Sequence, residues 1–386
     1  IKTLGYRLES ERKIVCKGLY LSARWFVLSS TALSGVHFVI LPDKESAEYC
    51  ANDLYSLVGG DKVFFLPESG KSVERSNYKS SLGVQRTAAV GMLLSQEGDL
   101  KIIVTYPDAV LELIPDTQDI RESILDLQKD QTISHQTIIE TLCSRGFEKV
   151  DFVSAPGQFA IRGSIIDIFS YSFNFPYRIS FWGNEIEKIH SFDCNTQLSK
   201  EEFDKVSIIS DIISKENNTG KSVLELLPQD AVVWLDSADL YSDKEFYPLT
   251  SRFRQVFFQP GIEDKDSDAV QFLISPQPAF NKNFELLTED IRNHIERGYK
   301  VYIYGEKPSQ LERLKAILNE NGGLIPEFVP EKNIHNGFVD AENKVCCYTD
   351  HEIFERFHRV SIRRSVEKSE QLTINDLSSF NIGDYV

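Results

Sequence analysis

Two Gly-Lys-Ser tripeptides, Gly70-Lys71-Ser72 and Gly220-Lys221-Ser222, come closest to phosphate chemistry in this chain. In a working phosphate loop a nest of backbone N–H groups wraps the phosphates, the lysine reaches the outer ones and the hydroxyl holds magnesium. That nest needs a further glycine five residues upstream, where this chain has Phe65 and Lys215, so neither tripeptide qualifies. The segment Gly18-Leu19-Tyr20-Leu21-Ser22-Ala23-Arg24 stands where such a loop belongs, between an expected strand at Lys13–Cys16 and a helix, but it carries no lysine. Ala231 to Asp236 reads as a strand ending in an acidic metal box, with Ser237 where a water-activating glutamate is required. Together these remnants suggest a nucleotide-hydrolase scaffold that has lost its chemistry; each alone also reads as a structural loop.

Other chemistries fail on spacing. His351-Glu352-Ile353-Phe354-Glu355 begins like a zincin helix, but Glu355 replaces the second histidine, so two ligands cannot share one helical face. Cys16, Cys50, Cys143, Cys194, Cys346 and Cys347 form no C-x-x-C pair and read as reduced thiols. His37 and His190 lie in apolar strand runs and read as packed side chains. No catalytic residue and no metal site is assigned.

Composition narrows the class further. The chain has 386 residues, 41% hydrophobic and 26% charged, enough to bury sizeable cores. Its formal charge of −16 is the wrong sign for gripping nucleic acid over the whole surface. No apolar run approaches the roughly 18 residues that span a bilayer, and no signal peptide opens the chain, which reads as cytoplasmic. It starts at Ile1 without methionine and stops at Gly383-Asp384-Tyr385-Val386, which suggests a piece of a longer protein.

The elements that must position any site are legible in outline. Residues 36–107 alternate apolar strands with amphipathic helices, the pattern of a parallel α/β domain. Ala47, Cys50, Ala51, Leu54 and Val58 recur at helical spacing, with Gly59-Gly60 as the stop signal. Between about 116 and 205 one helix near 135–146 precedes a run of short strands, punctuated by Gly157-Gln158, Arg162-Gly163 and Gly183-Asn184. The alternation resumes with Val206–Ile209, so the meander reads as an insertion. A further α/β unit follows Pro276-Gln277-Pro278, and the tail from His351, with Arg356, Arg359, Arg363 and Arg364, reads as a linker.

The two-residue period sorts the faces of the meander. With Phe159, Ile161, Ile179 and Phe181 inward, Ala160, Arg162, Arg178, Ser180 and Trp182 face outward. Arginine and tryptophan on one face suit partner binding, one giving a rigid donor fork and the other a large apolar area. The alternative is structural: Asp167 on the neighbouring strand pairs with an arginine while Trp182 covers a sheet edge.

Three ordered motifs carry a resemblance: Ala155-Pro156-Gly157-Gln158-Phe159-Ala160-Ile161-Arg162-Gly163-Ser164-Ile165-Ile166-Asp167-Ile168-Phe169, then Pro176 through Glu187, then Ser191-Phe192-Asp193. They resemble the module that the nucleotide-excision-repair protein UvrB shares with the bacterial transcription-repair coupling factor, Mfd. Thr349-Asp350-His351-Glu352-Ile353-Phe354, and Leu372-Thr373 through Ile382 to Val386, are similar to the stretch of Mfd before its RNA-polymerase-binding domain.

The resemblance implies a degenerate helicase-like (RecA-like) α/β domain at 1–115 and 206–265. It further implies an inserted, antiparallel-strand-rich UvrA-binding domain at 116–205, a small α/β domain at 266–350 and a linker at 351–386. It implies Arg162, Arg178 and Trp182 as UvrA contacts. RNA polymerase, duplex DNA, ATP and magnesium are expected to engage regions beyond residue 386, with no cofactor and no catalysis in this chain. Ala160 stands where UvrB has arginine, and Ser180 replaces an acidic residue common in relatives. The rival readings are an active nucleotide-dependent enzyme working on DNA, and a nucleic-acid-binding module using the basic tail.

Overall fold

A computed structural model describes residues 2–60, 62–69, 76–94, 100–122, 124–171, 175–211, 220–237, 247–261, 268–321 and 324–356. The described chain divides into two units, one holding residues up to Arg121 and from Gly220 onward, the other spanning Glu122–Asp211. Strands β1 (Lys13–Lys17), β2 (Gly35–Ile40), β3 (Val63–Phe65) and β4 (Leu100–Thr105) come first. The second unit holds β5 (Ile124–Gln128), β6 (Glu148–Lys149), β7 (Gln158–Arg162), β8 (Ile165–Ile168), β9 (Tyr177–Trp182), β10 (Glu185–Phe192), β11 (Ser199–Phe203) and β12 (Lys205–Ile209). Then follow β13 (Val232–Ser237), β14 (Arg254–Gln259), β15 (Val270–Gln271), β16 (Ile274–Pro276), β17 (Lys300–Gly305), β18 (Glu327–Pro330), β19 (Phe338–Asp340) and β20 (Val345–Thr349). The chain is thus a mixed α/β protein with one parallel sheet, one mixed sheet and a strand-rich insertion. No helix among the described residues is long and apolar enough to cross a membrane.

The seven-stranded sheet of the first unit has the order β15-β1-β14-β13-β2-β4-β3, with every pairing parallel. Its central strands carry unbroken apolar runs, residues 38–40 of β2 and 232–235 of β13, because both faces are covered there. The helix Lys44–Val58 forms as its spacing predicts: Asp43 caps the Ser46 N–H at 2.8 Å, Gly59 ends it at φ +98°, and Ala47, Cys50, Ala51 and Leu54 are buried. Trp234 is fully buried and donates its indole N–H to His37 Nδ1 at 3.0 Å. That bond fixes the His37 tautomer with the proton on Nε2, 3.1 Å from the Ser34 carbonyl, and burial lowers the pKa of the ring. His37 is therefore a packed histidine, as its apolar run suggests.

A five-stranded sheet, β16-β19-β20-β17-β18, belongs to the same unit. Helices Phe284–Glu296 and Pro308–Glu320 pack on β17 over a core containing Leu287, Ile291, Ile303, Leu314 and Tyr348. The loop before β19 is held by its amides. His335 N–H donates to Asp53 Oδ1 at 2.7 Å, Asn336 N–H to Ser22 Oγ at 2.9 Å, and Gly337 N–H to Glu352 Oε2 at 2.6 Å. His351 and Ile353, at the head of the expected linker, are buried, and His351 Nε2 lies 3.0 Å from the His335 carbonyl. Arg359, Arg363 and Arg364 lie outside the described residues.

The second unit contains a six-stranded sheet, β11-β10-β9-β8-β7-β6, antiparallel except for β6 with β7, and the two-stranded β12-β5. Val206–Ile209, read from the sequence as the resumed alternation, instead pairs antiparallel with β5. One face of the large sheet buries Phe159, Ile166, Ile168, Ile179, Phe181 and Ile189 against Ile138 and Leu142 of the helix His135–Ser144. Gly163 (φ +60°) and Gly183 (φ +62°) are the first loop residues of two tight hairpins, where a type II′ turn requires the left-handed backbone.

Candidate partner-binding site

The opposite face of that sheet carries the side chains singled out above. In the β8–β9 ladder Asp167 stands directly across from Arg178, and in the β7–β8 ladder it stands across from Ala160, two residues from Arg162. Both arginines converge on the one carboxylate. Arg178 Nε donates to Asp167 Oδ1 at 2.7 Å and its Nη2 to Oδ2 at 2.9 Å, while Arg162 Nη2 donates to the same Oδ2. Asp167 is 1% exposed, so this is a buried carboxylate with two cationic partners, in the fork geometry that guanidinium supplies.

The two arginines differ in their freedom. The Arg178 side chain is 17% exposed, lies over the Phe192 ring at 4.1 Å and donates a further bond from Nη2 to Gln197 Oε1 at 2.9 Å. Arg162 is 37% exposed and lies over Phe152 at 4.9 Å, with Phe152 itself largely exposed. Trp182, at the end of β9, is 80% exposed, so it does not cover a sheet edge among the described residues. The first half of the structural alternative holds and the second does not. His190, paired with Arg178 across β9 and β10, has its pKa lowered by partial burial and then by the Arg178 and Lys188 charges.

Sequence reasoning placed Ala160 outward and exposed; the structure buries it at 1% exposure with Val153, Phe169 and Phe192. The period assigned the face correctly, but Val153 and Phe169, which lie outside the strands, and Phe192 at the end of β10 cover part of it. Phe152 and Gln197 were not anticipated. Gln197 is presented by a turn in which Asp193 accepts the Asn195 and Thr196 N–H groups at 2.9 and 3.0 Å, so the Ser191-Phe192-Asp193 motif held the available signal.

The segments at 18–24 and 231–237, singled out in the sequence, also meet. The first turn of the helix Ala23–Thr31, which follows β1, and the end of β13 are joined by an ion pair, Arg24 Nη1 to Asp236 Oδ1 at 2.7 Å, and Gln259 donates to the Leu19 carbonyl in the loop before that helix at 2.7 Å. Of the tripeptides, Gly70-Lys71-Ser72 lies outside the described residues. Lys221 pairs with Asp116 at 3.0 Å, and Ser222 caps a short 3₁₀ helix with Glu225 in a capping box.

Residues 125–211 match the UvrB interaction domain. The chain is 23% identical over 355 residues to a transcription-repair-coupling factor of Borreliella burgdorferi, covering 74% of this chain and 31% of that protein. It is 30% identical over 172 residues to the transcription-repair-coupling factor of Bacillus subtilis, covering 44% of this chain and 14% of that protein. A UvrABC system protein B of Methanosphaera stadtmanae is 32% identical over 123 residues, 32% of this chain and 18% of that protein. The chain therefore spans less than a third of the length of each of these relatives. The matched domain contains the whole Arg162, Asp167, Arg178 and Trp182 constellation, and the chain is a relative of the transcription-repair-coupling factors, similar to their N-terminal region.

Proposed function

We propose that this chain is a UvrA-recruiting module in transcription-coupled nucleotide excision repair, and that the unit Glu122–Asp211 presents the binding face. The observation that carries the reading is the exposed Trp182 on the same sheet face as the Arg162–Asp167–Arg178 cluster, inside the matched domain. Arginines would supply charge-assisted hydrogen bonds and Trp182 an apolar anchor. In this reading RNA polymerase, duplex DNA and the ATP-driven motor belong to regions beyond residue 386.

Calorimetric titration of purified UvrA into the chain tests it directly. Saturable binding is expected, and Trp182→Ala should weaken it by at least about tenfold, a loss of about 1.4 kcal/mol, with the melting temperature unchanged because the side chain packs on little. Undiminished binding by the variant would remove Trp182 from the face.

The seven-stranded parallel sheet is read as a helicase-like domain with a degenerate nucleotide site. Asp236 occupies the end of β13, where a metal carboxylate would stand, but is paired with Arg24, and the loop before Arg24 has no phosphate lysine. Titration with magnesium and ATP is accordingly expected to give no heat of binding at micromolar concentrations; a saturable signal lost on Arg24→Ala or Asp236→Ala would revive the enzyme reading. The basic-tail reading loses one of its cations, since Arg356 is bound to Asp350 at 2.8 Å and to Gln310 at 2.6 Å.

A further inference from the structure

We propose that Asp167 is the positioning residue of the recognition face, holding Arg178 as a fixed strut and Arg162 as the arm that takes a carboxylate of the partner. The inference rests on the UvrA-binding reading and adds to it a division of labour between two arginines that strand alternation treats as equivalent.

The hydrogen bonds carry the division. A guanidinium has five N–H donors. Arg178 engages Asp167 through two nitrogens, engages Gln197 as well, and is stacked on Phe192, so its plane is fixed on three sides. Arg162 reaches Asp167 only through Nη2, and its Nε and Nη1 make no hydrogen bond among the described residues. Because Nη2 carries two N–H groups and gives one to Asp167, its other N–H, together with that of the neighbouring Nε or Nη1, leaves a fork open for a second carboxylate. Because one buried carboxylate serves two guanidiniums, the cluster keeps a single net positive charge, enough for one acidic side chain. Phe152 beneath Arg162 is more than half exposed and offers that side chain's stem an apolar rest.

Removing the Asp167 charge makes the face more positive while releasing its arginines, so position and charge give effects of opposite sign. In Asp167→Asn, affinity for UvrA is expected to fall at least tenfold; unchanged or tighter binding would overturn the proposal. In an Arg162→Ala background the same change should have little further effect, because Asp167 acts through Arg162. Equal losses in both backgrounds would mark a merely structural residue and overturn it too. Should Asp167→Asn fail to fold, Asp167→Glu keeps the charge and displaces the carboxylate by one methylene. Weaker binding by this variant supports positioning, and parental binding refutes it.

Water exchange of the arginine Nε–H groups, read by nitrogen-15 NMR in the free protein, separates this inference from the function it rests on. Asp167→Asn should speed exchange at Arg178 Nε at least tenfold. If the parent chain does not bind UvrA, the recruitment reading falls while this measurement still decides whether Asp167 holds the fork; unchanged exchange says that it does not.

Discussion

Arg178→Ala is expected to destabilise the Glu122–Asp211 unit by about 3–5 kcal/mol, the cost of leaving a buried ion without its main partner. Asp167 is 1% exposed and takes two of its three guanidinium bonds from Arg178, so the truncation strands a carboxylate in a place where water does not reach it. The cavity over Phe192 adds to the loss. Arg178→Glu should be worse, since it sets a second carboxylate beside the first. Arg162→Ala removes one bond from a half-exposed side chain and is expected to cost about 1 kcal/mol. Amide hydrogen exchange in β7 to β9 reads the unit by itself, whatever the rest of the chain does. Equal protection in the Arg178→Ala and Arg162→Ala proteins would show that Asp167 does not depend on Arg178.

This expectation corrects the one that strand alternation alone supports, in which both arginines lie outside the core and can be replaced without harm to the fold. A period of two residues tells which side chains share a face; it says nothing of what crosses that face. Here Val153, Phe169 and Phe192 roof Ala160, and the Asp193 turn brings Gln197 onto Arg178. The parallel α/β pattern, the helix Lys44–Val58 and the hairpins at Gly163 and Gly183 were legible because each is encoded locally, by spacing, caps and turn residues. Val206–Ile209 was misread because an apolar run of strand length does not name its partner, and β5 lies far back in the chain. The Arg24–Asp236 pair was hidden for the same reason: its members are 212 residues apart.

Asp53 presents the second large effect, one of pH. It sits within the apolar spacing of the helix Lys44–Val58 and is fully buried, which raises its pKa from 3.8 to about 7. Desolvation is the leading cause; the Ser22 hydroxyl at 2.6 Å, the His335 N–H and the Arg24 charge all oppose it. Its folded pKa lies above the unfolded one, so the stability it contributes is fully present below about pH 4 and is lost as pH rises through about 7. At about 1.4 kcal/mol per pH unit, the window supports a change on the order of 2–4 kcal/mol. Glu352, also raised by burial, acts in the same direction. His37 and His351, whose pKa values burial lowers, act in the opposite one: their contribution is lost as pH falls through the ordinary histidine range. Wild type must therefore be compared with Asp53→Asn, which keeps the shape and an acceptor for the His335 N–H. Measured by urea denaturation from pH 5 to pH 8, the variant is expected to gain on the wild type as pH rises, being no more stable at pH 5 and more stable at pH 8. A wild-type-minus-variant difference that stays flat across that range would mean that Asp53 titrates as an ordinary carboxylate and that its burial is relieved by contacts other than those of Ser22 and His335.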